Sequence, residues 1–223
     1  MRSLKLSKFL KFLTRNQKYE KNKSIHVSKR YSTSVLRQYQ NQYLRKIVDS
    51  LPGMKNILNV GAIPEDQDKE GRKYAEYWSE KDVNFFTLDK NRCSTEKGHF
   101  QCDLHDLHVL NNTITFDLIL CMSTLEHTEN PQQVLQEIKN ITHSDGYLYI
   151  VVPWFYPLHK DPKGRFGDYW RFNDDSLRLL LQGWEEVWIE PIPSVISVVE
   201  DRDMYWSDAS LTSTGYCGLF KNS

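Results

Sequence analysis

An apolar run closed by glycine, Ile57-Leu58-Asn59-Val60-Gly61, is followed 28 residues later by one closed by a carboxylate, Phe85-Phe86-Thr87-Leu88-Asp89. A strand that stops at glycine lets the backbone approach a ligand closely. An acid ending the next parallel strand can accept hydrogen bonds from a ribose diol. The pair points to a nucleoside-containing cofactor, and its spacing is longer than the roughly 20 residues of a dinucleotide fingerprint.

Apolar runs and helical stripes alternate around this pair. Val35, Tyr39, Tyr43, Leu44, Ile47 and Val48 predict a helix over 34–50, ended by Leu51-Pro52-Gly53. Strands are expected at 56–60, 83–88, 116–122, 147–152, 184–189 and 215–220, with a short segment around 99–102 and a tight region over 103–110, and helices at 69–79 and 174–181. A further helix starts at Asn130-Pro131, where asparagine caps and proline suits the first turn, and is closed by Ser144-Asp145-Gly146. The run 147–152 is almost wholly apolar, so both its faces must be covered. This alternation predicts an α/β fold with a doubly wound, mostly parallel Rossmann-like sheet and helices on both faces. Ligands bind such sheets beyond the carboxyl ends of the strands. The polar and aromatic stretch 191–214 reads as a lid or insertion.

With 223 residues and 39% hydrophobic content the chain can bury one sizeable core. Its zero net charge hides an asymmetry: residues 1–50 hold 13 lysines and arginines against Glu20 and Asp49, a net +11 balanced by −11 in the rest. Two parts are expected, a basic arm over 1–33 and a catalytic domain over 34–223. In the arm Leu6, Phe9, Leu10 and Leu13 recur at helical spacing between lysines, which argues against a secretory signal. A mitochondrial presequence, a basic amphipathic helix for a membrane surface or polyanion, and a solvated tail remain open. Cys93, Cys102, Cys121 and Cys217 form no close pair, as expected of a reducing compartment. No apolar stretch approaches the ~20 residues needed to cross a bilayer. The expected location is the cytoplasm, or the mitochondrial matrix if the arm is a presequence.

With the motifs placed on strand ends, residues 35–220 resemble the class I S-adenosylmethionine-dependent methyltransferases. Ile57 to Ala62 looks like their first motif, Phe86 to Asp89 like the second strand with its ribose-binding acid, and Cys102 to Leu107 like the adenine-flanking segment. Phe116 to Cys121 with Thr124-Leu125-Glu126-His127 is similar to the fourth strand and its following turn, and Gly146 to Pro153 to the fifth. His159, Pro162 and Asp168-Tyr169-Trp170-Arg171-Phe172 resemble the small methyltransferases often encoded with surface-glycan synthesis genes.

The resemblance implies a seven-stranded sheet and S-adenosyl-L-methionine as cofactor, held by Val60, Gly61, Ala62, Asp89, Asp103, Leu104 and Cys121. Asp106 is the alternative to Asp103. It also implies acceptor contacts from Asp168, Tyr169, Trp170 and Arg171, although an Asp168–Arg171 pair could instead fix the loop. His127 and His159 are the candidate general bases for a hydroxyl acceptor, and His127 could equally hold its turn. His105 and His108 have a metal-like spacing but lack a third ligand, and no metal is required.

The expected reaction is methyl transfer to an oxygen or nitrogen of a glycan or small metabolite. A degenerate binding module and a nucleic-acid methyltransferase are the alternatives, the latter disfavoured because the cations precede the pocket. The first motif departs from the family: Ala62, Ile63 and Pro64 follow Gly61, and Asn59 replaces the leading acid, with Glu65 or Asp66 available to restore its charge.

Overall fold

The computed structural model describes residues 35–51, 53–68, 70–111, 113–193 and 213–223. The predicted arm, and 194–212 of the expected lid, lie outside them. Among the described residues, three α-helices, α1 (Val35–Ser50), α2 (Pro131–Ile141) and α3 (Asp174–Leu180), accompany seven strands: β1 (Asn56–Val60), β2 (Asn84–Asp89), β3 (His99–Gln101), β4 (Phe116–Met122), β5 (Thr142–Pro153), β6 (Trp184–Pro193) and β7 (Ser213–Asn222). The strands make one sheet in the order β3-β2-β1-β4-β5-β7-β6. β1 to β5 pair in parallel, and β7 runs antiparallel between β5 and β6.

Period-two alternation divides the core between the two faces. On β4, Leu118 and Leu120 face Leu44 and Ile47 of α1 and the aromatic turn Tyr74–Trp78. Ile119 and Cys121 face Leu135 and Ile138 of α2 and the short 3-10 segment Leu104–Leu110. All four strand residues are fully buried, so the apolar run was a strand covered on both sides. α1 is also fastened by polar bonds. Its buried Gln40 donates to the Tyr74 hydroxyl, and the Tyr149 hydroxyl donates to the Gln40 carbonyl.

Two expected elements differ. The helix predicted over 69–79 is only a 3-10 turn, Tyr74–Trp78. Asp68 accepts the amides of Glu70 and Arg72 on one oxygen and the Tyr77 hydroxyl on the other, so a side chain captures amides that a helix would have used. Gly71 at φ 84° completes the turn. The helix begun at Asn130 ends at Ile141 rather than at Ser144-Asp145-Gly146. Thr142 returns its hydroxyl to the Ile138 carbonyl and starts β5 directly, with a register shift opposite Phe116 and Leu118. The predicted Asn130 cap is present, its side chain accepting the Gln133 amide. Asn173 and Ser176 form a capping box on α3.

Candidate active site

Because β1, β2, β4 and β5 are parallel, the loops that follow them meet at one edge of the sheet. They enclose a cleft of about 500 Å³ whose lining includes Gly61, Asp89, Asp103, Leu104, Ser123, Thr124, His127, His159, Phe166 and Tyr169. That volume lies within the usual range for small-ligand sites. At its floor, Gly61 adopts φ 70°, and a Cβ added there would lie 2.5 Å from Thr124 Oγ1. Thr124 uses that hydroxyl to donate to the Val60 carbonyl, 3.2 Å away. The glycine thus allows the β1 loop to lie against the turn after β4. Gly61→Ala is expected to lower stability by about 2–5 kcal/mol, combining left-handed strain of ~1–2 with overpacking of ~1–3 kcal/mol. A lower urea midpoint at unchanged m-value checks this.

Asp89 ends β2 with its side chain only 12% exposed. Its Oδ1 accepts the amides of Asn91 and Arg92, and its Oδ2 accepts Arg92 Nε at 2.8 Å. The same guanidinium donates to Asp66 Oδ1 and to the Gly61 carbonyl. Arg92 therefore ties the first motif to the second strand, and Asp66 spends its charge on this arginine. Glu65 accepts from Ser94. The two acids considered as substitutes for the missing leading carboxylate are thus both engaged.

Asp103 caps the segment Leu104–Leu110 by accepting the His105 amide, contacts the His105 ring at 2.8 Å and pairs with Lys90 at 2.6 Å. Burial opposes its ionisation, but the hydrogen bonds from Lys90 and His105 prevail and hold its pKa at about 2. Since this lies below the unfolded value of ~3.9, the stabilisation is present above that pH and is lost as pH falls toward about 2. Lys90→Met is expected to cost at most ~1 kcal/mol at neutral pH, the lysine being exposed. The difference should vanish as pH falls toward about 2, measured as urea midpoints along an acid series.

The far end of the cleft is built on the turn Leu125–His127. Glu126 is completely buried, and among the described residues neither carboxylate oxygen finds a hydrogen-bond donor within 3.5 Å. His159 Nε2 stands 3.6 Å and His127 Nε2 3.8 Å from the same oxygen, Glu126 Oε1. The imidazoles meet edge to face at 4.8 Å. His127 Nδ1 donates to the Gly167 carbonyl at 2.5 Å, and His159 Nδ1 to that of Pro157 at 3.0 Å. The nearby Glu126 carboxylate raises the pKa of His159, against the effect of burial.

The loop after β5 wraps this turn. The amides of Tyr169 and Trp170 donate to the Glu126 carbonyl, and Trp170 Nε1 donates to the Thr128 carbonyl. Asp168, its side chain 1% exposed, takes two hydrogen bonds from Arg171 at 2.5 and 2.8 Å and one from the His159 amide. Arg171 holds the carboxyl of Asp168 far below the usual range.

Of the expected cofactor residues, Gly61, Asp89, Asp103 and Leu104 line the cleft, whereas Val60, Ala62 and Cys121 are buried core side chains outside the lining. They alternate into the packed faces of the sheet or sit behind the loop, so backbone groups are what they can offer a ligand. Both candidate bases line the cleft. Of the acceptor residues only Tyr169 does; Asp168 and Arg171 satisfy each other within the loop, and Trp170 is pinned to Thr128. His105 and His108 serve different neighbours, Asp103 and Glu137. Sequence reasoning missed Arg92, Phe166 and the isolation of Glu126. The spacing of Arg92 three residues after Asp89 was a signal for the first.

Residues 74–150 match the methyltransferase domain family. A 43-residue stretch is 44% identical to the ubiquinone biosynthesis O-methyltransferase of Glaesserella parasuis, a match covering 19% of this chain and 18% of that protein. The structure is similar to a SAM-dependent methyltransferase from Archaeoglobus fulgidus, with TM-score 0.56 and 14% identity over 83% of this chain and 94% of that one. It is also similar to the N-methyltransferase NodS of Bradyrhizobium japonicum in complex with S-adenosyl-L-homocysteine, with TM-score 0.53 and 14% identity over 86% and 89% of the two chains. Sheet order and the strand-end cleft give the chain a fold similar to that of these methyltransferases, and residues 74–150 match their domain family.

Proposed function

We propose that this chain is a class I S-adenosylmethionine-dependent methyltransferase, which binds S-adenosylmethionine along Gly61, Asp89 and Asp103 and transfers its methyl group to an oxygen or nitrogen of a glycan or small metabolite. The carrying observation is the division of one cleft: acids at the ends of β2 and β3 on one side, two imidazoles after β4 and β5 on the other. Asp89 and Asp103 suit the ribose and the adenine amino group. The sulfonium methyl then lies toward His127 and His159, where Tyr169 and Phe166 supply a face for an acceptor ring. Catalysis comes mainly from holding the reactants in line. In each imidazole Nδ1 is committed to a carbonyl, so Nε2 keeps the lone pair that accepts a hydroxyl proton.

Incubation with methyl-labelled cofactor and separate pools of nucleotide sugars, small phenolic or hydroxylated metabolites, and RNA tests the acceptor class. Label is expected in one of the first two pools. Label confined to RNA would overturn the assignment.

One observation favours a second reading, a methyltransferase fold used only for binding. Arg92 bridges Asp89, Asp66 and the Gly61 carbonyl, across the span a cofactor would contact. If Arg92 blocks that span, Arg92→Leu should create S-adenosylmethionine binding absent from the parent. If it braces the motif, as the main reading requires, the same change weakens existing binding.

A further inference from the structure

We infer that Glu126, His127 and His159 form a site for a first-row divalent cation at the acceptor end of the cleft. A fully buried carboxylate with no hydrogen-bond donor is costly unless something positive meets it. The two groups that meet it, His127 Nε2 and His159 Nε2, each have their Nδ1 proton committed to a backbone carbonyl. With both rings neutral, the Nε2 atoms present lone pairs and the Glu126 oxygen presents another, so three acceptors converge and either a proton or a cation must join them.

A metal ion resolves this arrangement. The three ligand atoms lie within 4.8 Å of one another. Bonds of ~2.1 Å to one ion require them roughly 3–3.5 Å apart, so a small contraction closes the site. The supporting hydrogen bonds are already in place: metal-bound histidines ordinarily donate their other N–H to a carbonyl or carboxylate, as His127 does to Gly167 and His159 to Pro157. Asp168 adds a further restraint by accepting the His159 amide. Two imidazoles and one carboxylate suit zinc, cobalt, manganese or ferrous iron better than calcium.

His127 and His159 also line the cleft, leaving the open coordination positions toward the acceptor. This inference rests on the methyl-transfer reading only for its purpose: the substrate class becomes an acceptor hydroxyl whose oxygen binds the cation. The cation lowers that hydroxyl's pKa and its proton passes to solvent. The oxygen then attacks, forming the O–CH₃ bond as the S–CH₃ bond breaks and neutral S-adenosylhomocysteine leaves. In the metal-free protein the same Nε2 lone pairs act as bases; with the ion bound they are ligands.

Full-length, tag-free protein is stripped with a chelator and titrated with Co²⁺, followed by calorimetry and visible absorption. One equivalent is expected, with ligand-field bands, and uptake should weaken at least tenfold in Glu126→Gln and His159→Ala but not in His108→Ala. At alkaline pH, where both imidazoles are neutral, metal-free Glu126→Gln is expected to melt at a higher temperature than the parent, because a charge without a partner is removed. No stoichiometric uptake, or uptake unchanged in both site variants, overturns the proposal and shows that a proton alone reconciles the three groups. S-adenosylhomocysteine binding is measured on the same samples. Cobalt uptake without it leaves the cation site standing and the methyl-transfer reading refuted; the reverse result does the opposite.

Discussion

Alanine at Asp89 is expected to weaken S-adenosylmethionine binding by about 10- to 100-fold. Two backbone amides occupy Oδ1 and one arginine nitrogen occupies Oδ2. A carboxylate has about four lone-pair sites, so one on Oδ2 remains for a ribose hydroxyl without moving anything. A hydrogen bond to a charged group contributes ~1.5–3 kcal/mol, and each ~1.4 kcal/mol is tenfold in affinity. Removing the carboxylate also frees the Arg92 guanidinium beside a cationic cofactor. The loss should therefore be greater for S-adenosylmethionine than for uncharged S-adenosylhomocysteine. Parallel calorimetric titrations of the two ligands against Asp89→Ala check both the magnitude and its dependence on ligand charge.

Asp168→Ala is expected to lower stability by about 3–5 kcal/mol, the usual effect of removing one partner from a buried ion pair. Arg171 would keep only the carbonyls of Tyr156, Pro157 and Trp170, and the His159 amide would lose its acceptor. At ~2–4 °C per kcal/mol for a chain of this size, the melting temperature should fall by roughly 6–20 °C. Replacing both partners, as in Asp168→Leu with Arg171→Met, should recover much of the loss because no uncompensated charge remains. A double variant as unstable as the single one would show that the loop depends on the carboxylate for another reason.

The middle of the sheet was legible because its strands β1 and β4 are buried on both faces. Residues 56–60 and 116–122 read as apolar runs, and their boundaries follow from the turns around them. The stretch 69–79 misled for a local reason: its inward aromatics Tyr74, Tyr77 and Trp78 have helical spacing, yet Asp68 captures the amides that would start the helix. At the site, topology placed Gly61 and Asp89 on one edge of the sheet, where the structure puts them. The reason for the glycine was less visible, since its close neighbour is Thr124, 63 residues away in the chain. The Asp168–Arg171 pair is local and could be read from its spacing. That Asp168 also anchors His159 depends on the path of the loop after β5. Glu126 was the least legible residue. A glutamate beside a histidine suggests a polar surface turn, and only the fold shows it buried without a donor, facing two imidazoles.

The central claim, that the strand-end cleft is an S-adenosylmethionine site, is tested most directly by calorimetric titration of the full-length chain with S-adenosylmethionine, alongside Asp89→Ala. The account predicts one-to-one binding of roughly micromolar affinity in the parent, weakened about 10- to 100-fold in the variant. Folded parent protein that takes up no S-adenosylmethionine at ~100 μM, or a variant that binds as tightly as the parent, would contradict it.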